Sequence, residues 1–309
     1  MHKYLFSSIL SLCAALLLCV ACEEPISLDI ESVTPQIVVN GTFTPNHTFQ
    51  ITLSKNKALL SNDTTEFIAN AKVQILDEQG GLLEELKYQE KAAVPYYEFP
   101  GFQPQAQTIY QLAIEIPGYP MMYATSSAPN SVPIESIQTE EVDRDSTTSL
   151  YSLNINTSIL DPQGEQNYYH LQLYYQQVED RSTTSGLVNK PDSFIPILIR
   201  NTNSHNSTVV TDINENGVLF SDDQLDGTPI DLQFQVILDR ELTGDDPQIV
   251  GELRTISKDY YLYYTSLIRQ LESQDRPFAE PVLVFNNIEN GLGIFAGFNR
   301  SRDSVLIAR

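Results

Sequence analysis

Over most of its length the chain alternates apolar and polar residues with a period of two, a pattern that strands produce and helices do not. Phe49, Ile51 and Leu53 alternate with Gln50 and Thr52, and Val73 and Ile75 alternate with Lys72 and Gln74. Tyr110, Leu112, Ile114 and Ile116 alternate with Gln111, Ala113 and Glu115. Successive strand side chains point to opposite faces, so the pattern builds strands with one buried and one solvated face. Turn chemistry separates them at Thr44-Pro45-Asn46, Gln79-Gly80-Gly81 and Pro117-Gly118-Tyr119-Pro120. Short strands at this spacing over residues 35–132 predict an immunoglobulin-like β-sandwich.

Residues 125–149 shift to Ser, Thr, Pro and acids, which puts a boundary near Pro133. Strand signals resume at Leu153, Ile155, Thr157 and Ile159, then at Tyr169, Leu171, Leu173 and Tyr175. Further strands are expected over 197–199, 232–238 and 282–285, with residues 181–192 reading as a mobile polar loop. One segment changes period. Ile256, Tyr260, Tyr264, Leu267, Ile268 and Leu271 recur at helical spacing, with Ser257 as N-cap, Asp259 in the first turn and Pro277 beyond the end. The fold class is therefore mostly β: a sandwich over 35–132, then a β-rich domain over 133–309 with one amphipathic helix at about 257–274.

The leader sets the address. Lys3 precedes an apolar run from Leu5 to Val20, and small residues then lead to Ala21-Cys22. This pattern reads as a secretory signal peptide over residues 1–21 rather than a permanent span. Leu18-Cys19-Val20-Ala21-Cys22 resembles a bacterial lipobox, with Cys22 as the lipid acceptor; Cys19 stands where Leu is usual. Of three cysteines in 309 residues, Cys13 and Cys19 leave with the leader. The mature chain then has 288 residues, and loss of Lys3 moves the net charge from −22 to −23. Cys22 as the remaining cysteine excludes intrachain disulfides and thiol catalysis. Two or more acyl chains on Cys22 suffice for stable anchoring. Glu23-Glu24-Pro25, Asp29 and Glu31 follow, an acidic tether over 22–34 that also resembles a surface-export signal.

With 18 basic against 40 acidic residues, the chain lacks the basic face needed for phosphate-backbone binding, and nucleic acid is excluded as a partner. The sharpest metal candidate is Asp212-Ile-Asn214-Glu-Asn216-Gly217, with a carboxylate at the twelfth position, Asp223. It matches the start of a calcium loop, in which a glycine folds several oxygens around one cation. Against calcium, the flanks read as strand and turn, and the twelfth residue is the shorter Asp. Gly291-Leu-Gly293 is followed by too few residues for a dinucleotide-binding unit. Asn290-Gly291 and Gly293 suit tight turns and close backbone contact instead. His47, His170 and His205 have no zinc spacing, and no nucleophile motif is present. Catalytic residues and cofactors are therefore expected to be none, with calcium the one cofactor considered.

Several motifs carry a resemblance. Asp161-Pro-Gln-Gly-Glu-Gln-Asn-Tyr-Tyr169, Leu219-Phe-Ser-Asp-Asp-Gln-Leu-Asp-Gly227, Arg276-Pro-Phe-Ala-Glu-Pro281 and Phe285-Asn-Asn-Ile-Glu-Asn-Gly-Leu-Gly-Ile-Phe-Ala-Gly297 follow the lipobox in order. Together they resemble the Bacteroidetes outer-membrane lipoproteins of the domain of unknown function 4249. The resemblance covers residues 22–309. It implies a lipid-anchored protein, on the cell surface or facing the periplasm, often beside a TonB-dependent outer-membrane receptor, and assigns no catalytic residue. The expected function is a non-enzymatic accessory or binding protein; the alternative is a surface hydrolase acting on glycans or peptides.

Overall fold

The computed structural model describes residues 35–57, 64–90, 93–144, 150–177, 194–204, 209–223, 225–239, 247–274, 280 and 282–307. Cys22, the leader, the tether and the 181–192 loop lie outside the described residues, as do His205 and Pro277. Residues 35–309 form one compact unit. Its strands are β1 (Ile37–Phe43), β2 (Gln50–Lys55), β3 (Lys72–Leu76), β4 (Leu82–Gln89), β5 (Tyr96–Glu98), β6 (Ile109–Glu115), β7 (Met122–Ser127), β8 (Ile134–Arg144) and β9 (Leu150–Leu160). They continue as β10 (Tyr168–Gln177), β11 (Phe194–Pro196), β12 (Ile199–Ser204), β13 (Val210–Thr211), β14 (Gly217–Ser221), β15 (Pro229–Asp239), β16 (Pro247–Ile256) and β17 (Leu292–Leu306). The one helix among the described residues, α1, spans Lys258–Gln274. No described helix is long and apolar enough to cross a membrane.

Thirteen strands share one sheet, in the order β13-β14-β10-β16-β17-β1-β2-β5-β4-β3-β6-β7, with β11 beside β10. The other four form a second sheet, β12-β15-β9-β8. The long sheet folds over on itself, so that β7 meets β17: Gly297 N–H donates to Ser126 Oγ at 3.1 Å. The enclosed core holds Val39, Phe43, Phe49, Ile51, Val73, Tyr97, Leu112 and Phe295, all almost fully buried. A second core lies between β10 and β16 on one side and the four-stranded sheet on the other, with Tyr169, Leu171, Ile155, Phe220, Phe234 and Leu253 at its centre. Each main-chain alternation read above places its apolar members in these cores.

Strand β17 joins the two bodies, pairing parallel with β1 and antiparallel with β16. Helix α1 follows β16 directly. Ser257 caps it as expected, its Oγ accepting from Tyr260 N–H at 3.3 Å. The helix buries Tyr260, Thr265 and Ile268 against Tyr168, Leu219, Ile256, Ile294 and Ala296. The expected strand at 282–285 does not form; that run passes beside α1, and Phe285 N–H donates to Ser266 Oγ at 2.8 Å.

Candidate functional site

Registers of β10, β14, β16 and β17 decide which polar groups meet. Odd-numbered residues of β10, such as Tyr169 and Leu171, point into the second core. Its even-numbered residues His170 and Gln172 therefore face the α1 side, opposite Arg254 and Glu252 of β16. Both are nonetheless buried, as is Asp212 in the turn between β13 and β14.

Donors and acceptors then fall into one directed chain. Arg254 Nη1 donates to the Tyr260 hydroxyl at 3.5 Å, and that hydroxyl lies 3.2 Å from His170 Nδ1. His170 Nε2 is 2.9 Å from Asp212 Oδ2, to which Gln172 Nε2 also donates at 3.2 Å. Asn216 N–H donates to Asp212 Oδ1 at 3.2 Å. A carboxylate can only accept, so His170 carries its proton on Nε2 and accepts the Tyr260 proton on Nδ1.

Burial lowers the His170 pKa, outweighing the pull of Asp212, and keeps the ring neutral. Burial by itself would raise the Asp212 carboxyl; hydrogen bonds from His170, Gln172 and Asn216 reverse this and hold it below the ordinary carboxylate range. An unfolded His protonates at about pH 6.5, whereas the folded ring resists to lower pH. Stability is therefore expected to fall as pH drops below about 6.5, by up to about 1.4 kcal/mol per unit until the folded ring titrates. Gln can donate to Asp212 and accept from Tyr260. Urea unfolding of His170→Gln at pH 7.0 and 5.5 should accordingly show a smaller acid loss than the parent chain.

The four residues of the candidate calcium loop separate in the structure. Residues 210–221 are a β-hairpin, with Asp212 N–H donating to Gly217 O at 2.9 Å. Asp212 and Asn216 point inward, Asn216 Nδ2 donating to Leu173 O at 3.4 Å, while Asn214 is exposed. Asp223 lies beyond the far end of β14 and accepts from Ser221 Oγ at 2.9 Å and Gln166 Nε2 at 2.7 Å. A five-residue strand of about 17 Å thus stands between the two carboxylates.

A different acidic set does converge. Among the described residues, Asp161, Asp222 and Asp226 form the one group able to share a cation, their oxygens lying within 4.8 Å of one another. Each also holds a turn: Asp161 Oδ2 accepts from Gly227 N–H at 3.0 Å, Asp222 Oδ2 from Asn167 N–H at 2.8 Å, and Asp226 Oδ1 from Gly164 N–H at 2.6 Å. Tyr169 donates its buried hydroxyl to Asp161 at 2.5 Å. Burial, followed by the Asp161 charge, raises the Asp222 carboxyl.

The outer face of the four-stranded sheet carries an accessible concavity. Ser136, Gln138, Asn156, Ser158, Asp231 and Gln233 line a groove of about 310 Å³. Register aligns them in rows across three strands, Asp231-Ser158-Ser136 and Gln233-Asn156-Gln138. Gln233 Nε2 donates to Asn156 Oδ1 at 3.1 Å.

No curated protein matches the sequence. Among solved structures, the chain is matched to trypsin-activated alpha-2-macroglobulin from Escherichia coli, with a TM-score of 0.24 and 11% identity over 73% of this chain. The chain spans 15% of that structure's length. Residues 23–304, which hold all but the last two residues of the sheets, the helix and every polar cluster above, match the family described as domain of unknown function DUF4249, and the chain belongs to that family.

Proposed function

We propose that this protein is a lipid-anchored binding module of the outer membrane, held through Cys22 and working beside a TonB-dependent receptor without catalysing a reaction. The groove on the four-stranded sheet carries the reading. Its lining offers amide and hydroxyl groups on a rigid sheet, with Asp231 as the single charged side chain, and such a lining suits recognition of a polar partner through hydrogen bonds. The Asp212–His170–Tyr260 relay has the order of orienter, base and hydroxyl that nucleophilic hydrolases use. Tyr260, however, is only 3% exposed on the buried face of α1, and this supports binding over hydrolysis.

Two expected results test the proposal. Cys22→Ser should move the protein from the membrane fraction to the soluble fraction, while the parent chain stays with outer membranes. Pull-down of the acylated protein from detergent-solubilised outer membranes should recover a TonB-dependent receptor, and substituting Gln138 and Gln233 together with Ala should reduce that recovery. Recovery at background level would overturn the accessory role.

A further inference from the structure

In a chain with 40 acidic and 18 basic residues, a basic side chain has acids to pair with almost anywhere. On β16 and β17 the opposite arrangement occurs. Register sets Arg254 directly opposite Arg300, and Glu252 opposite Arg302. Strand alternation puts all four side chains on one face of the sheet, the face that α1 partly covers. Like charges directly opposed on an antiparallel pair destabilise the sheet.

Glu252 cannot neutralise three guanidiniums. One of its oxygens bonds Arg254 at 2.7 Å, and the other bonds Arg302 at 2.5 Å. Asp212, a second acid on this face, is buried and committed to His170, Gln172 and Asn216. Arg300 makes no ion pair among the described residues; its side chain meets His47 Nε2. Burial and then the charges of Arg300 and Arg302 lower the His47 pKa, so this ring accepts a guanidinium proton without adding repulsion.

The arginines are also held in place. Arg254 lies over the Phe298 ring at 5.1 Å, and Arg302 over the Phe194 ring at 4.6 Å. Arg300 and Arg302 sit two residues apart on one strand, roughly 7 Å between their backbones, a span that one oxyanion bridges. Their outward sides are solvent-accessible, with Arg302 42% exposed.

We propose that Arg300 and Arg302, backed by Arg254 and His47, form a binding site for an oxyanion, the carboxylate or phosphate group of a ligand from outside the protein. Guanidinium forks bond such groups bidentately, and the bound charge would relieve the Arg254–Arg300 opposition. This site lies on the α1 side of the long sheet, the side away from the four-stranded sheet and its groove, and does not depend on the anchor or the receptor.

The test is calorimetric titration of the purified full chain in detergent with inorganic phosphate and, separately, D-glucuronate, each against sodium chloride at equal ionic strength. Saturable binding of either anion is expected, and the anion that binds identifies the group. Arg300→Gln should weaken binding at least ten-fold, and Arg300→Lys should weaken it less. Arg269→Gln on α1 should bind as the parent chain does. Raising the salt concentration should weaken binding, because the site is partly exposed. Absence of saturable binding for both anions, or an Arg300→Gln variant that binds like the parent chain, would overturn the proposal; a circular dichroism spectrum matching the parent's shows that the variant is folded.

Discussion

Gly293→Ala is expected to abolish folding, or to lower stability by more than about 4 kcal/mol. Gly293, the second residue of β17, stands opposite Val39 in the parallel pair with β1. A Cβ added there would stand 1.9 Å from the Val39 carbonyl oxygen. That neighbour is backbone, fixed by the sheet, and cannot rotate away. The residue also has φ of +109°, a conformation that L side chains rarely adopt. Strain of that kind by itself costs about 1–3 kcal/mol. Gly80 separates the two effects: its φ is +84°, yet an added Cβ meets nothing within 4 Å. Gly80→Ala should therefore lose only the conformational part. Soluble yield and urea midpoints of both variants check the comparison, and a Gly293→Ala variant as stable as Gly80→Ala would contradict the backbone clash.

The damage is expected to be global because β17 belongs to both bodies. Phe295 sits in the first core, Val305 packs against the second, and Ile294 and Ala296 lie beneath α1. The close-contact role of this glycine was legible in the sequence, as were the strands with one solvated face. Phe49, Ile51 and Leu53 are buried at 1% exposure or less, as their alternation requires. Strand β16 gave no such signal. It is covered by the second core on one side and by the α1-side network on the other, so eight of its ten residues are buried and no alternation survives. The same double cover hides the first part of β17. The run at 282–285 has the composition of a strand, but it passes beside α1 without a strand partner, with Leu283 exposed.

The polar site was less legible still. His170 reads as one residue of an alternating strand, and it is one. What makes it part of a network is the hairpin that returns Asp212 to its Nε2, across 42 positions of sequence. The motif around Asp212 has the composition of a calcium loop because turns and cation loops both favour Asp, Asn and Gly. The Arg254–Arg300 opposition depends likewise on the β16–β17 register, which no local pattern specifies. Composition did give one part of the answer: in so acidic a chain, a cluster of arginines requires a physical reason.

Glu252→Gln is the second large effect, with an expected loss of about 3–5 kcal/mol. Glu252 is 2% exposed and accepts from Arg254 Nε at 2.8 Å and from Arg302 Nε at 2.7 Å. An amide accepts through one atom only and turns an N–H₂ donor toward the other guanidinium. Arg254, mostly buried, would then lack a counter-charge and cannot shed its proton. Arg302→Gln should cost less, about 1 kcal/mol, because Arg302 is 42% exposed and Glu252 would keep Arg254. Burial raises the Glu252 carboxyl, but the two arginines reverse this and hold it below the ordinary range. A lowered folded pKa gives stability that is present above the unfolded value of about 4.3 and lost as pH falls through the folded one. Glu252→Gln should therefore be less stable at pH 7 and also less sensitive to acid below about pH 4.3. Urea unfolding across that range measures both, and a loss smaller than that of Arg302→Gln would mean that Glu252 is not what holds the arginines together.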